Sequence, residues 1–280
     1  MSFLVRKAGG ALEPFNPGKL LRSLEKAGAD KETAEATLAR IEKEYSRRPR
    51  GQEILTTHEI YAHAFDHLRA RKRPLAARYS LKRALLDLGP SGFPFESYVA
   101  ELFIHDGYEA KVDQIVQGGC VEHEIDVILT KGEETLYVEA KFHNSLAFKT
   151  DLKVALYVKE RMDDIVAAGH VGARGLLATN TKFTDKAREY AECSLLMLLS
   201  SDYPQGSNLY QRIERAGAFP VTALTSLGRR EKTALLEAKI VLCSQILKEP
   251  SVLPAAGITG HKAEVILEEA GALCSFETVL

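Results

Sequence analysis

The residues best placed to do chemistry lie in two neighbouring stretches, Glu124-Ile125-Asp126-Val127-Ile128 and Thr135-Leu136-Tyr137-Val138-Glu139-Ala140-Lys141-Phe142. Read as strands, they alternate side chains between two faces. Leu136, Val138, Ala140 and Phe142 then share one face, and Glu139 and Lys141 the other. An acid and an amine stand two residues apart, roughly 7 Å along the strand. The preceding strand of a hairpin delivers Asp126 beside Glu139. Two converging carboxylates suit Mg2+, which takes one or two carboxylates and keeps several waters for substrate phosphates. Lys141 falls beside the metal-bound water, an arrangement fit for phosphodiester hydrolysis. The same Glu-x-Lys spacing also serves an exposed ion pair worth about 0 to 1 kcal/mol and no chemistry. His123 and His143 flank the segment as candidate proton shuttles. A hydrogen-bonded histidine near a strand end serves equally well at both positions, and neither is assigned to the site.

The elements that must position these groups are legible around them. Residues 109–116, 124–129 and 135–142 read as strands, the last two joined by the turn Lys131-Gly132-Glu133-Glu134. A helix over 95–105 precedes them. A helix, a strand over 175–179, a helix over 184–193 and a strand over 195–200 follow, completing an α/β pattern. Upstream, Phe3-Leu4-Val5 and Leu12-Glu13-Pro14-Phe15 flank Gly9-Gly10 as a small hairpin. Asn16-Pro17 opens a helix to Ala27, with Phe15 stapling onto Leu20. Three more amphipathic helices follow, the third after a Thr56-x-x-Glu59 capping box and the fourth over 75–88. The breakers from Gly89 to Pro94 mark a boundary. The remainder is mostly helical, with 231–247 its clearest span. Three regions are expected: 1–89, 90–202 and 203–280.

Composition bounds the reading. With 280 residues, 45% hydrophobic and 27% charged, the chain can bury a core and is neither fibrous, disordered nor membrane-embedded. No run of about 18 apolar residues occurs, and MSFLVRKAGGALEPF has the wrong flanks for a signal peptide, so a cytoplasmic protein is expected. Cys120, Cys193, Cys243 and Cys274 are too dispersed for a zinc site and read as reduced thiols. The net charge of −1 conceals an asymmetry: residues 1–88 hold 18 basic and 11 acidic side chains, leaving 19 basic and 27 acidic for the rest. Two regions with different partners are implied. Arg47-Arg48-Pro49-Arg50 and Arg69 to Arg73 are either solvated faces or phosphate contacts.

The middle region resembles the PD-(D/E)XK nucleases, and among them the Mrr-like type IV restriction endonucleases. The resemblance runs from Gly92-Phe93-Pro94-Phe95-Glu96 through Val99-Ala100-Glu101-Leu102, Asp106-Gly107-Tyr108, Gly118 and Glu124-Ile125-Asp126-Val127 to Val138-Glu139-Ala140-Lys141. It continues in Ala178-Thr179-Asn180-Thr181-Lys182-Phe183-Thr184, Ala187 and Tyr190-Ala191. It implies a mixed sheet flanked by helices, Asp126 and Glu139 as ligands of Mg2+ or Mn2+, Lys141 as the water-activating residue and Glu96 as the helix acid, with Glu101 as its rival. His123-Glu124-Ile125-Asp126 departs from the Gly-x-x-Asp-Gly-Asp stretch frequent in the family, which bears on substrate and not on the metal ligands.

The first 88 residues resemble the ATP-cone, a regulatory nucleotide-binding module. The match is Val5-x-Lys7-x-x-Gly10, Glu13-Pro14-Phe15, Lys19-Leu20, Ser23-Leu24 and Ala76-Ala77-Arg78-Tyr79. It implies ATP or dATP held by Val5, Arg6, Lys7, Phe15, Lys19 and Arg22. The cations and a helix N-terminus are physically suited to a triphosphate. No Walker-type loop occurs, so binding without hydrolysis is expected. Leu253 to Ala263 is similar to a helix-hairpin-helix loop with Thr259 in place of the second glycine. Together these features point to a nucleotide-regulated, Mg2+-dependent DNA endonuclease connected with restriction or defence, working as a homo-oligomer because a duplex break needs two sites. The alternatives are an inactive nucleotide-responsive DNA-binding regulator and a structure-selective repair or junction nuclease.

Overall fold

The structure, a computed structural model, describes residues 3–7, 9–48 and 54–275. It divides into two compact units, Met1–Lys82 with Ala223–Thr225, and Arg83–Thr222 with Ser226–Leu280.

In the first unit, β1 (Leu4–Arg6) and β2 (Leu12–Pro14) pair antiparallel with Val5 opposite Glu13, and Gly10 at φ 86° supplies the turn. Helix α1 (Pro17–Lys26) starts as expected, the Asn16 side chain accepting from the Lys19 N–H at 3.0 Å. Helix α2 (Lys31–Ser46) is capped by Asp30. A strand absent from the sequence reading, β3 (Ile54–Thr56), lies parallel to β1 and makes a three-stranded sheet. Its three residues are too few for a periodicity. Helix α3 (Thr57–Arg71) carries the full capping box: Thr56 Oγ1 accepts from the Glu59 N–H, and Glu59 returns the contact to the Thr56 N–H at 2.7 Å. The expected fourth helix is two, α4 (Arg73–Tyr79) and α5 (Leu81–Leu86), broken at Ser80. Phe3 stacks on both Phe15 and Tyr45, with ring centroids 4.4 and 4.2 Å away, and anchors the core. Of the first arginine cluster, Pro49 and Arg50 lie outside the described residues. Arg48 is paired with Glu59 at 2.6 Å.

The second unit opens with α6 (Phe93–His105), then β4 (Glu109–Gln117), β5 (Glu122–Lys131) and β6 (Glu134–Lys141). After β7 (Lys149–Thr150) come α7 (Leu152–Ala167), β8 (Ala173–Thr179), β9 (Lys182–Phe183), α8 (Asp185–Ser194) and β10 (Met197–Leu199). The five-stranded sheet has the order β10-β8-β6-β5-β4. Its β4-β5-β6 half is an antiparallel meander, and its β6-β8-β10 half is parallel with helical crossovers. Parallel strands are covered on both faces, so β6 is buried from Leu136 to Ala140 rather than on alternate residues. Gly175 on β8 is required by close packing: a Cβ there would meet Met162 Cγ at 2.7 Å.

The chain then continues through α9 (Leu209–Ala216), α10 (Arg229–Glu237), α11 (Cys243–Lys248), α12 (Val252–Ala255) and α13 (His261–Cys274). The buried Tyr98 hydroxyl on α6 donates to the Ala218 carbonyl at 2.8 Å and ties this region to the sheet unit. The single helix expected over 231–247 is two, because Lys239 takes φ 61° and ends the first. No helix among the described residues is long and apolar enough to cross a membrane.

Candidate active site

The register that pairs Val127 with Val138 places Asp126 level with Glu139, one step beyond the last pair of the β5–β6 ladder. There the strands part. Asp126 Oδ2 accepts the Ala140 N–H at 2.6 Å, so the carboxylate takes a backbone donor that the ladder leaves free. On the other side, Asp113 of β4 falls level with Asp126, between the pairs Val112–Val127 and Gln114–Ile125, and adopts φ 54°. Aspartate tolerates this left-handed conformation better than most residues. A row of three carboxylates thus crosses β4, β5 and β6.

Glu139 is buried and doubly compensated. Lys141 pairs with Oε1, as the shared strand face requires, and Arg161 from α7 pairs with Oε2. Arg161 also donates to the Glu124 carbonyl at 2.9 Å and to the Tyr157 hydroxyl at 2.5 Å. The sequence reading missed Arg161. Its only signal was the i, i+4 spacing from Tyr157 on an amphipathic helix, and nothing in that spacing says which strand residue the helix meets. Asp113 and Glu124 were missed likewise.

Glu96, in the first turn of α6, reaches this cluster. Burial, and then the charges of Asp126, Asp113, Glu139 and Glu124, push its carboxyl up to about 7. Burial and the Glu139 charge push Asp126 up to about 6, against the Ala140 N–H, Lys141 and Arg161, which pull it down. Glu101 faces elsewhere, its Oε1 accepting from Gln245 at 3.2 Å. The structure therefore brings Glu96, Asp126, Glu139 and Lys141 together and leaves Glu101 out. His123 hydrogen-bonds Asp164 at 2.7 Å, and His143 hydrogen-bonds Thr150 at 3.0 Å, with burial lowering its pKa. Both sit in structural contacts.

Among the described residues, no group of three or more His, Cys, Asp or Glu side chains is arranged as a metal cage. The donor set here is smaller: Asp126 and Glu139, in a site where burial first, and neighbouring carboxylates second, raise the carboxyl pKa values of Glu96 and Asp126. That fits a hard divalent cation that keeps most of its waters.

In the first unit, a pocket of about 230 Å³ is lined by Val5, Lys7, Phe15 and Lys19, with Tyr61 and Tyr79. Arg6 and Arg22 do not line it; both are exposed. Alternation along β1 points Arg6 opposite to Val5 and Lys7. Lys7 is paired with Glu13 at 3.2 Å, and Phe15 belongs to the aromatic stack behind the pocket. At the other end of the chain, Gly257 and Gly260 take positive φ between α12 and α13, while Lys262 is held by Glu231 at 2.6 Å.

Family models match the chain in three places: an ATP cone domain at residues 3–87, a restriction endonuclease at 89–202, and an AF1548-like C-terminal region at 219–274. An uncharacterized protein of Archaeoglobus fulgidus is 33% identical over 173 residues, which are 61% of this chain and 97% of that protein. The chain belongs to the AF1548-like family. It joins an ATP-cone domain to an Mrr-type restriction endonuclease domain. The crystal structure of AF1548, a protein of unknown function, has 31% identity and a TM-score of 0.56, covering 65% of this chain and 98% of that one. MspJI restriction endonuclease in complex with a 27-mer oligonucleotide has 14% identity and a TM-score of 0.33, covering 69% of this chain and 39% of that one. In this AF1548-like chain, Glu96, Asp126, Glu139 and Lys141 all fall inside the restriction endonuclease match.

Proposed function

We propose that the protein is a divalent-metal-dependent DNA endonuclease, regulated by ATP or dATP on its N-terminal domain and serving restriction or defence. One observation carries the reading: within the restriction endonuclease match, Glu96, Asp126, Glu139 and Lys141 meet at one end of the sheet, with the Asp126 and Glu96 carboxyls raised to about 6 and about 7 by burial and then by their neighbours' charge. Asp126 and Glu139 would hold Mg2+ or Mn2+, which when bound supplies charge stabilisation on the phosphodiester and a more acidic water. Lys141, oriented by its pairing with Glu139, donates toward the attacking water or the phosphate oxygen. Glu96 titrates close to neutral pH and suits proton transfer there. Arg161 fixes the second oxygen of Glu139 and keeps that carboxylate aimed.

On the N-terminal domain, Lys7, Lys19, Tyr61 and Tyr79 line one pocket; the lysines would meet the triphosphate of a bound nucleotide and the tyrosine rings its base. Nucleotide then acts by binding one functional state better than another. A homo-oligomer supplies the second site for a duplex break. The test is plasmid cleavage with Mg2+ or Mn2+, with and without ATP or dATP, comparing the parent with Asp126→Ala and Lys141→Ala. Loss of cleavage in both variants is expected. Undiminished cleavage in both removes the assignment, and gel-shift binding without cleavage under either metal would point to a DNA-binding regulator instead.

A further inference from the structure

The second unit contains a cleft of about 850 Å³ that the chemistry above does not use. Arg83, Phe93, Asn144, Arg229, Lys232 and Thr233 are among the residues that line it. One wall is the start of α6, where Phe93 precedes Glu96 by less than a helical turn. The other is α10 of the C-terminal region. Asn144, three residues beyond Lys141, also lines the cleft, and a Cβ on Gly89 would stand 2.7 Å from its Oδ1. The α6 wall of the cleft borders the proposed cleavage site: a Cβ on Gly92, between the lining residues Ser91 and Phe93, would stand 3.0 Å from Glu96 Oε1.

Its lining carries three cations, Arg83, Arg229 and Lys232, two acids, and one partly exposed aromatic ring, Phe93. Arg83 and Arg229 are exposed and form no ion pair with any described residue. The acids that line it are Asp87 and Glu237, and Asp87 already lends its charge to Lys232, whose ammonium donates to the Thr222 carbonyl. Neither arginine is held in an ion pair, so both guanidiniums are available to phosphates, with Asp87 and Glu237 as the acids of the same cleft. Phe93 is 37% exposed, and Lys239 lies over its ring at 5.4 Å.

A volume of about 850 Å³ is that of a pocket for a small molecule or a nucleotide or two, whereas a duplex presents a major groove alone about 12 Å wide. A positive groove with an aromatic platform is what proteins use to hold single strands, phosphates on the cations and a base on the ring. We infer that this cleft seats unpaired nucleotides of the strand being cut, so that the C-terminal region is a substrate-binding wall and the enzyme favours DNA that is single-stranded beside the cleavage point. The inference rests on the nuclease reading for the identity of that strand.

The test uses the full-length Asp126→Asn chain, which binds without cutting, and fluorescence anisotropy. The probes are labelled oligothymidine of about 16 nucleotides, a blunt duplex and a forked duplex. Neither arginine loses a partner on substitution, and glutamate in the first turn of α10 suits the helix dipole, so Arg83→Glu/Arg229→Glu should fold. The double variant is expected to lose about tenfold or more in affinity for the single strand and the fork, with a shallower dependence on salt, while blunt-duplex binding stays within about twofold. Phe93→Ala is expected to cost about 5- to 100-fold on the single strand and the fork and to leave the blunt duplex almost unchanged. An excess of ATP over the labelled strand is expected to leave these differences in place; displacement of the strand by ATP at equal concentration assigns the cleft to free nucleotide and overturns the inference. Equal losses on all three probes, or no loss on any, also overturn it. The nuclease reading fails separately, if the unsubstituted chain shows the binding pattern but cuts none of the three with Mg2+ or Mn2+.

Discussion

The crowding of carboxylates at the end of the sheet has a thermodynamic consequence that can be measured without any cleavage assay. Asp126 titrates at about 6 in the fold, raised from 3.8. A difference of that size is worth about 3 kcal/mol. Asp126 is only partly buried, so solvent screening reduces the figure to about 1–2 kcal/mol. The sign follows from linkage. A carboxyl whose folded pKa lies above its unfolded value binds its proton more tightly when folded, so it costs nothing below the unfolded value, costs more as pH rises from about 4 to about 6, and costs the full amount above that. Asp126→Asn removes the charge and keeps an amide oxygen to accept the Ala140 N–H. In metal-free buffer at pH 8 the variant should therefore be more stable than the parent by about 1–2 kcal/mol, or about 2–8 °C in Tm for a protein of this size. At pH 4 the difference should vanish. Addition of Mg2+ should raise the parent's Tm at pH 8 and leave the variant's almost unchanged. Scanning calorimetry at the two pH values, with EDTA and then with MgCl2, reads all four quantities. A variant less stable than the parent at pH 8 would refute the reasoning, because it would mean that Lys141 and Arg161 stabilise the ionised Asp126 more than Glu139 and burial destabilise it.

Three further predictions test other parts of the molecule. Glu96→Gln should lower the cleavage rate by about 10²–10⁴-fold and abolish an inflection near pH 7 in the rate profile, since that carboxyl titrates at about 7; a profile unchanged in shape would remove Glu96 from proton transfer. Lys19→Glu should weaken ATP and dATP binding by about 10- to 100-fold in calorimetric titration, the loss of one charged hydrogen bond, whereas Arg22→Glu, outside the pocket, should change it by much less. Tyr98→Phe should cost about 1–3 kcal/mol by leaving the buried Ala218 carbonyl without its donor, read as a lower urea midpoint; an unchanged midpoint would show that the link between α6 and the C-terminal region does not depend on that bond.

How much of this was legible in the sequence depends on whether the deciding interaction is local. Caps are local, and Asn16 and Thr56-x-x-Glu59 start their helices where the residue types place them. The β5–β6 hairpin is local too: its Gly132 turn sets a register in which Asp126 and Glu139 come level, and alternation gives Lys141 to the Glu139 face. Helix interiors proved less readable, since a pattern that stays apolar across Ser80 or Lys239 says nothing about the backbone turning there. The least legible facts are those in which a helix crosses to a strand. Arg161 lies 22 residues beyond Glu139 in sequence, and its guanidinium meets that carboxylate only because α7 returns along β8 in a parallel crossover. Asp113 is similar: the β4–β5 register sets it level with Asp126, but its own left-handed φ of 54° lies inside a strand that alternation alone would treat as regular. Period and spacing locate the acids that can bind a metal; the cation that aims Glu139, and the extra charge that raises Glu96, come from elements whose approach is fixed by the sheet order. The sequence thus identifies the donors, while the burial that raises Glu96 and Asp126, and the mutual approach that lets Asp126 and Glu139 add to it, arise only when α6 packs against the three strands.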